Sequence, residues 1–444
     1  MTAIITEKTR RNLAINIFDD IEKDSNEYYL CIGRSEDWPS GDTTRTPTVT
    51  EREERLFRYS LQAVQKINDN YRYVVPKYIW TSGTVYSAYN DNVASHPTTS
   101  FYVLTSSKNV YICIRQGKNA AGTAKVSLNV PTHTSGTKGY ADGYVWRFMY
   151  TIGTSDYDNF VTSAFMPVDS ASGSVISPRK QILGYRVING GSGYTGAPTL
   201  TIIGNGDSAT ATAVRYGDTI VDVHPGDSAN DVTKYGHDYD YASISVSGGG
   251  GIGAEIVPIF GPKLGLGNDL KTDLRSSAVM LVADFTAAGD GKLVLDNDYR
   301  QVGIIKNIGD YGDSDTYFGS TLSAYSSDTI GRALKYMTVT STTGFNADDT
   351  IVKTETAGTA TAYVDYVDTA NLRLWYHQTE DTGFIDFTTG AGLSSSTSAG
   401  TASISSLTNP EVDIFSGDVL YIDNRDAIDR TIESVDDIKI VFQI

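Results

Sequence analysis

From Tyr71 onward the sequence is a succession of short runs in which apolar and polar residues alternate, each broken within a few positions by Gly, Ser, Asn or Asp. Successive side chains of a strand face opposite sides, so this pattern specifies strands and turns and leaves little room for helix. Phe101 to Leu104 and Val110 to Ile114 flank a Ser-Ser-Lys-Asn turn and predict a hairpin, and Tyr144 to Ile152 predicts a strand ending at Gly153. Tyr outnumbers Phe 29 to 14, and a large ring carrying a hydroxyl suits strands and wet interfaces. The expected fold class is mainly β: a multi-domain antiparallel β-sandwich body with two N-terminal helices and two inserted small β-repeat modules.

Helical spacing is confined to the N-terminal part. Thr6 is placed to cap a helix in which Leu13, Ile17 and Ile21 recur every four residues, ending at Asp24 to Asn26, with a strand through Cys31 beyond. Pro39 to Pro47 reads as a loop. A second helix is expected from Thr50, where Glu53 completes a capping box. Its apolar stripe would run through Leu56, Tyr59, Leu61, Val64 and Ile67, with Pro76 beyond its end.

Two stretches differ from the rest and carry internal repeats. In the Gly-rich stretch Ile182 to Pro262, Thr199-Leu200-Thr201-Ile202 with Ala211-Thr212-Ala213-Val214 resembles Ser243-Ile244-Ser245-Val246 with Ala254-Glu255-Ile256-Val257. This predicts two β units, each a pair of strands closed on a Gly turn. In the Ser/Thr/Gly-rich stretch Met337 to Leu407, Thr343-Gly344-Phe345 recurs as Thr382-Gly383-Phe384, and Ala357-Gly358-Thr359-Ala360 as Ala399-Gly400-Thr401-Ala402. Val364, Val367, Leu372, Leu374 and Trp375 argue against a flexible tether there. The resulting expectation is an N-terminal region 1–177, an inserted module 178–262, a core region 263–336, a second inserted module 337–408, and C-terminal strands 409–444 that complete the body.

The chain carries 36 basic and 53 acidic side chains, a formal charge of −17. That disfavours a grip on nucleic acid or an anionic membrane surface, both of which need clustered cations. No apolar run approaches a bilayer span, and Met1 to Arg11 has no secretory pattern. Cys31 and Cys113, the only cysteines, sit inside strand-like runs and are expected to be reduced, buried thiols.

Chemistry-bearing motifs are weak. The five histidines (His96, His133, His224, His237, His377) are scattered singly. His237-Asp238-Tyr239-Asp240 offers two carboxylates on one strand face, but a solvated loop is the simpler reading. Asp310, Asp313 and Asp315 read as a Gly/Asp turn. Gly250 to Glu255 nearly matches a calcium β-roll repeat but has no tandem copies. Ser177-Pro178-Arg179-Lys180 matches a Ser-x-x-Lys nucleophile pattern without its companions. Neither a phosphate-binding loop nor a dinucleotide fingerprint occurs. The expectation is no catalytic residue, no cofactor and no metal, although an acidic β protein always offers carboxylate pairs of the kind a glycosidase uses.

Three segments carry a family likeness. The first is Leu30-Cys31-Ile32-Gly33-Arg34-Ser35-Glu36-Asp37-Trp38 after the opening helix. The second is Ala141-Asp142-Gly143-Tyr144-Val145-Trp146 with the strand that follows. The third is Gly417-Asp418-Val419-Leu420-Tyr421-Ile422-Asp423-Asn424-Arg425 through Asp436 to Phe442, and Asp298 to Ile305 is a weaker fourth. Together they resemble the baseplate wedge subunit (the gene-eight product) of T-even-type contractile-tailed bacteriophages, in particular its cyanophage relatives. Asp418 and Asp423 stand where that family has Glu. The two repeat-bearing stretches lie outside the likeness.

The resemblance implies a non-enzymatic structural protein of the virion tail baseplate, made in the host bacterial cytoplasm, that dimerises with itself and joins other wedge subunits. It marks Gly33, Arg34, Ser35, Glu36, Trp38, Asp142, Gly143, Tyr144, Trp146, Tyr421, Asn424 and Arg425 as structural or interface residues. From the residues themselves, Gly33 and Gly143 read as turn glycines and Trp38 and Trp146 as core aromatics. Arg34 and Glu36 are placed to pair on one strand face, and Arg425 to clamp a carboxylate. Two other functions fit the composition: a tail protein that binds a receptor or glycan through its β repeats, and a glycan-degrading enzyme.

Overall fold

A computed structural model describes residues 6–38, 46–48, 50–92, 100–169, 176–286, 292–294, 297–320, 330–431 and 434–444. Most of the Pro39 to Pro47 loop, and His96, lie outside them. The chain is mainly β, built of antiparallel sheets with four helices among the described residues. None of these helices is long and apolar enough to cross a membrane.

The first helix spans Glu7–Ile21, and Thr6 caps it through its hydroxyl on the amide of Thr9. The second differs from expectation. Thr50 caps it on the amide of Glu53, but it covers only Glu51–Tyr59, and Leu61–Ile67 is a strand buried along its whole length. A strand covered on both faces carries apolar residues without strict alternation, so Leu61, Val64 and Ile67 imitate a helical stripe. Two shorter helices, Thr154–Phe160 and Leu270–Asp273, lie outside the two expected, the second capped by Asp269 on the amide of Thr272.

The chain forms two compact units. One comprises Asp19–Tyr71 and Leu281–Ile440. Its main sheet runs in the order Ile330–Arg332, Leu61–Ile67, Tyr28–Gly33, Asp298–Lys306, Asp418–Asp429, so strands from distant parts of the chain are neighbours. Tyr29, Cys31, Phe57, Leu61, Val64 and Ile305 form its core. Gly303 is needed there for space: a Cβ would lie 2.3 Å from the ring of Phe57. The expected insertion at 337–408 closes into a six-stranded barrel, in the order Lys335–Val339, Arg373–His377, Gly358–Asp368, Thr350–Glu355, Gly390–Ser395, Thr401–Thr408. Closure removes every strand edge, and the barrel has its own core, including Met337, Phe345, Ile351, Leu374 and Ile404. Its repeats meet in space, because Phe345 of the first lies against Gly400 of the second, where a Cβ would be 2.6 Å from the ring.

The other unit comprises Met1–Phe18, Arg72–Met280 and Val441–Ile444. The expected hairpin forms from Tyr102–Leu104 and Asn109–Arg115, and Val145–Thr151 pairs beside it. In the Gly-rich stretch the two repeats do not close as separate hairpins. Thr199–Gly204 pairs instead with Ala242–Ser247, and Ile182–Ser192 with Ile252–Phe260. Leu200 opposes Val246 and Ile202 opposes Ile244. Within the first repeat the expected partner strand, Thr212–Tyr216, meets Thr199–Gly204 only at Thr199 and Thr212, so cross-strand apolar pairing between the repeats extends further than pairing within them. Of the glycines here, Gly251 makes room for the ring of Tyr194, 2% exposed, which a Cβ would approach to 2.4 Å, while Gly191 and Gly249 are held first by backbone, Ile252 O at 2.5 Å and Gly196 O at 2.7 Å.

A further sheet, in the order Val435–Gln443, Ala278–Thr286, Tyr71–Pro76, Phe165–Pro167, takes in the C-terminal strand at its edge. Both cysteines are free and fully buried.

Candidate functional site

A dense polar constellation is built on the Gly33 to Trp38 segment. The strand Tyr28–Gly33 ends where Gly33 abuts the chain at Ser60, with a Cβ position only 2.7 Å from that carbonyl. Gly33 is therefore a close-approach glycine. The residue that turns the chain is Arg34, at φ 60, a conformation costly for a side-chain-bearing residue. Its amide bonds to Ser60 O at 2.8 Å, and its guanidinium lies over the Trp38 ring, 4.2 Å from the centroid.

The strand ends at Gly33, so Arg34 and Glu36 lie on a turn and not on a strand face, although the charge of Arg34 still acts on the Glu36 carboxylate. Glu36 reaches the barrel instead, its Oε1 2.5 Å from Nε2 of His377. His377 Nδ1 sits 2.8 Å from Asp365 Oδ2, and Ser35 Oγ donates to Asp365 Oδ1 at 2.9 Å. Asp365 stands at a register shift between Val364 and Tyr366 in its strand, and such bulges re-aim a side chain. Beside this set, Asp37 Oδ1 lies 2.5 Å from Arg300 Nη2, and Asp298 Oδ1 lies 2.7 Å from Nη1.

The electrostatics follow from burial. His377 is 5% and Asp365 1% exposed. Burial by itself disfavours a charged imidazole, but two carboxylates hold the ring well above its usual range. Burial also raises Glu36, yet Glu36 is brought down to about 2, chiefly by the charge of His377. Asp365, cut off from water, is raised chiefly by burial despite the ring beside it. We read the set as one imidazolium shared by two carboxylates.

Chemically this is a clamp. Ser35 donates its hydrogen bond to Asp365, and a Ser-His nucleophile would need the hydroxyl against the imidazole. The two carboxylates address opposite ring nitrogens, so the donors diverge. Among the described residues no group of three or more His, Cys, Asp or Glu is arranged to hold a metal.

The remaining motif residues close around the same sheet or form a second knot. Trp38 Nε1 donates to Arg425 O at 2.9 Å, and Gln301 Nε2 to Asn424 Oδ1 at 2.8 Å. Tyr421 lies opposite Ile304. The Arg425 side chain is exposed and meets a carboxylate of its own strand, Asp423, at 2.5 Å through one nitrogen. In the other unit Asp142 accepts from the amides of Leu128, Asn129 and Tyr144. Gly143, at φ 88, is the turn glycine expected. Tyr144 stacks on the fully buried Trp146, ring centroids 5.8 Å apart.

The weaker motifs resolve into structure. Asp238 is paired with Arg179, and Asp240 with Lys180 at 2.6 Å, so the two candidate segments neutralise each other. Ser177 Oγ accepts from the amide of Leu266 at 2.8 Å.

His377, Asp365 and Arg300 were not singled out from the sequence. The available signal was a lone carboxylate in the apolar run Ala362 to Val367 and a histidine ending the next strand. Neither family models nor curated proteins contain a match to this chain.

Proposed function

We propose that this chain is a non-enzymatic structural subunit of a contractile-tail baseplate wedge, acting as a homodimer that joins neighbouring wedge proteins in the virion. One observation carries the reading. Leu30 to Trp38, Asp298 to Ile305 and Gly417 to Arg425, the segments of likeness in one unit, fall on three adjacent strands of a single sheet. Residues of the likeness also make the cross-contacts, Trp38 to Arg425 O and Gln301 to Asn424. Likeness by chance in separate segments has no reason to gather in this way.

The use of the polar groups supports the same reading. They are bonded to one another and to backbone, as suits a scaffold whose parts must hold their relative positions. The test is a density map of the intact virion. The expected result is this fold within the baseplate, in paired copies. Finding it at a fibre tip would overturn the reading in favour of receptor binding, and reducing-sugar release by the purified chain would overturn the non-enzymatic part.

A further inference from the structure

The turn after the strand Asn109–Arg115 and the strands Ile182–Ser192 and Thr219–His224 enclose an open cleft of about 400 Å³. That volume suits a small ligand of one or two rings. Its charge is unusual for this chain. Arg115 and Lys118 both converge on Asp222, the lysine at 2.7 Å, so one carboxylate faces two cations.

A third cation, Arg186, meets a neutral partner: Nη1 donates to Asn90 Oδ1 at 3.2 Å, and no described carboxylate pairs with it. The other carboxylate in the lining, Asp231, is engaged by the amide and hydroxyl of Thr233. The cleft therefore holds three cations against two carboxylates in a protein of net charge −17.

The neutral groups are also poised. Tyr235 lines the cleft at 5% exposure, and among the described residues its hydroxyl has no protein partner. That hydroxyl is free to donate to a ligand in the cleft. Gln116 spends its amide nitrogen on Tyr86 O at 2.7 Å, which leaves its oxygen as an acceptor toward the cleft. A guanidinium with spare N–H groups matches a carboxylate in bidentate geometry, while a hydroxyl donor and an amide acceptor match sugar hydroxyls.

We propose that this cleft binds a carboxylate-bearing sugar, a hexuronate unit, with Arg186 holding the carboxylate and Tyr235 and Gln116 holding hydroxyls. The proposal does not depend on the baseplate reading, since a structural subunit and a receptor-binding protein could each carry such a site.

Calorimetric titration of the full chain with digalacturonate tests it, with galactose, acetate and inorganic phosphate as comparators. Saturable binding of digalacturonate alone is expected. Arg186→Ala should weaken it about tenfold, the effect of losing a charge-assisted contact. Tyr235→Phe should weaken it about fivefold with the melting temperature unchanged. Absence of saturable binding would overturn the proposal. So would acetate or phosphate binding as tightly, galactose binding equally, or both variants retaining wild-type affinity.

Discussion

His377 Nε2 lies 2.5 Å from Glu36 Oε1, which ties the last residue of a barrel strand to the loop that follows the first strand of the main sheet. The same ring holds Asp365 at 2.8 Å on its other side. A charge taken out of water is tolerated only while its partners are in place. The barrel's attachment through this contact is therefore all-or-none at the level of single side chains.

Removing the ring should expose that dependence. His377→Ala leaves Asp365 and Glu36 facing each other without their cation, and a loss of about 3–5 kcal/mol in unfolding free energy is expected. Ser35→Ala removes one hydrogen bond to a buried carboxylate, for a loss of about 1.5–3 kcal/mol. Urea denaturation of both variants measures the two; a His377→Ala loss below that of Ser35→Ala would show that the charges are not coupled as described.

The pH dependence has a definite sign. Glu36 is depressed from 4.5 to about 2, so its contribution to stability is present above 4.5 and is lost as pH falls toward 2. His377 is raised, so its contribution is complete below its ordinary 6.5, persists through neutrality, and is lost only as pH rises through the elevated value. The stability gap between the wild type and Glu36→Gln should hold from about pH 7 to 5 and close between 4.5 and 2. Melting curves across that range are the measurement, and a gap that widened on acidification would contradict the assignment.

Gly303→Ala should destabilise by about 1–3 kcal/mol or more, because the added methyl would stand 2.3 Å from Phe57 Cζ and 2.8 Å from Tyr421 O. Gly196→Ala, with nothing within 4 Å, should stay within about 0.5 kcal/mol of wild type. Comparing the two separates a packing requirement from a general dislike of alanine.

The barrel should be separable. Its first and last strands pair at Tyr336 and Thr408, so the ends of a deletion of 337–407 are already adjacent and a short Gly-Ser linker can join them. The shortened protein is expected to melt cooperatively, and the isolated segment 335–408 to give a dispersed amide spectrum. Loss of both properties would show that the barrel has no independent core.

Deleting Ile438 to Ile444 should cause aggregation. The strand it uncovers, Ala278–Thr286, has Val279, Met280, Leu281, Val282 and Phe285 buried, and an unpaired edge of that composition recruits other chains. Lys439→Ala, on the retained strand, should be nearly silent. Light scattering of the truncated chain decides, and a monodisperse sample would show that the edge is protected by other means.

The sequence by itself determined the fold class, the first helix and its Thr6 cap, the Thr50 cap, the hairpin at Tyr102 to Arg115 and the Gly143 turn. Each of these rests on neighbours a few residues apart, where spacing and φ preferences act directly. Tertiary structure alone decided the rest. It made Leu61–Ile67 a strand, because burial on both faces removed the alternation that marks one. It paired the two Gly-rich repeats with each other, because the match of Leu200 and Ile202 to Val246 and Ile244 is a long-range contact. It also brought Glu36 to His377: a bulge at Asp365 and the left-handed turn at Arg34 aim the side chains, and neither is written in the identity of the residues they bring together.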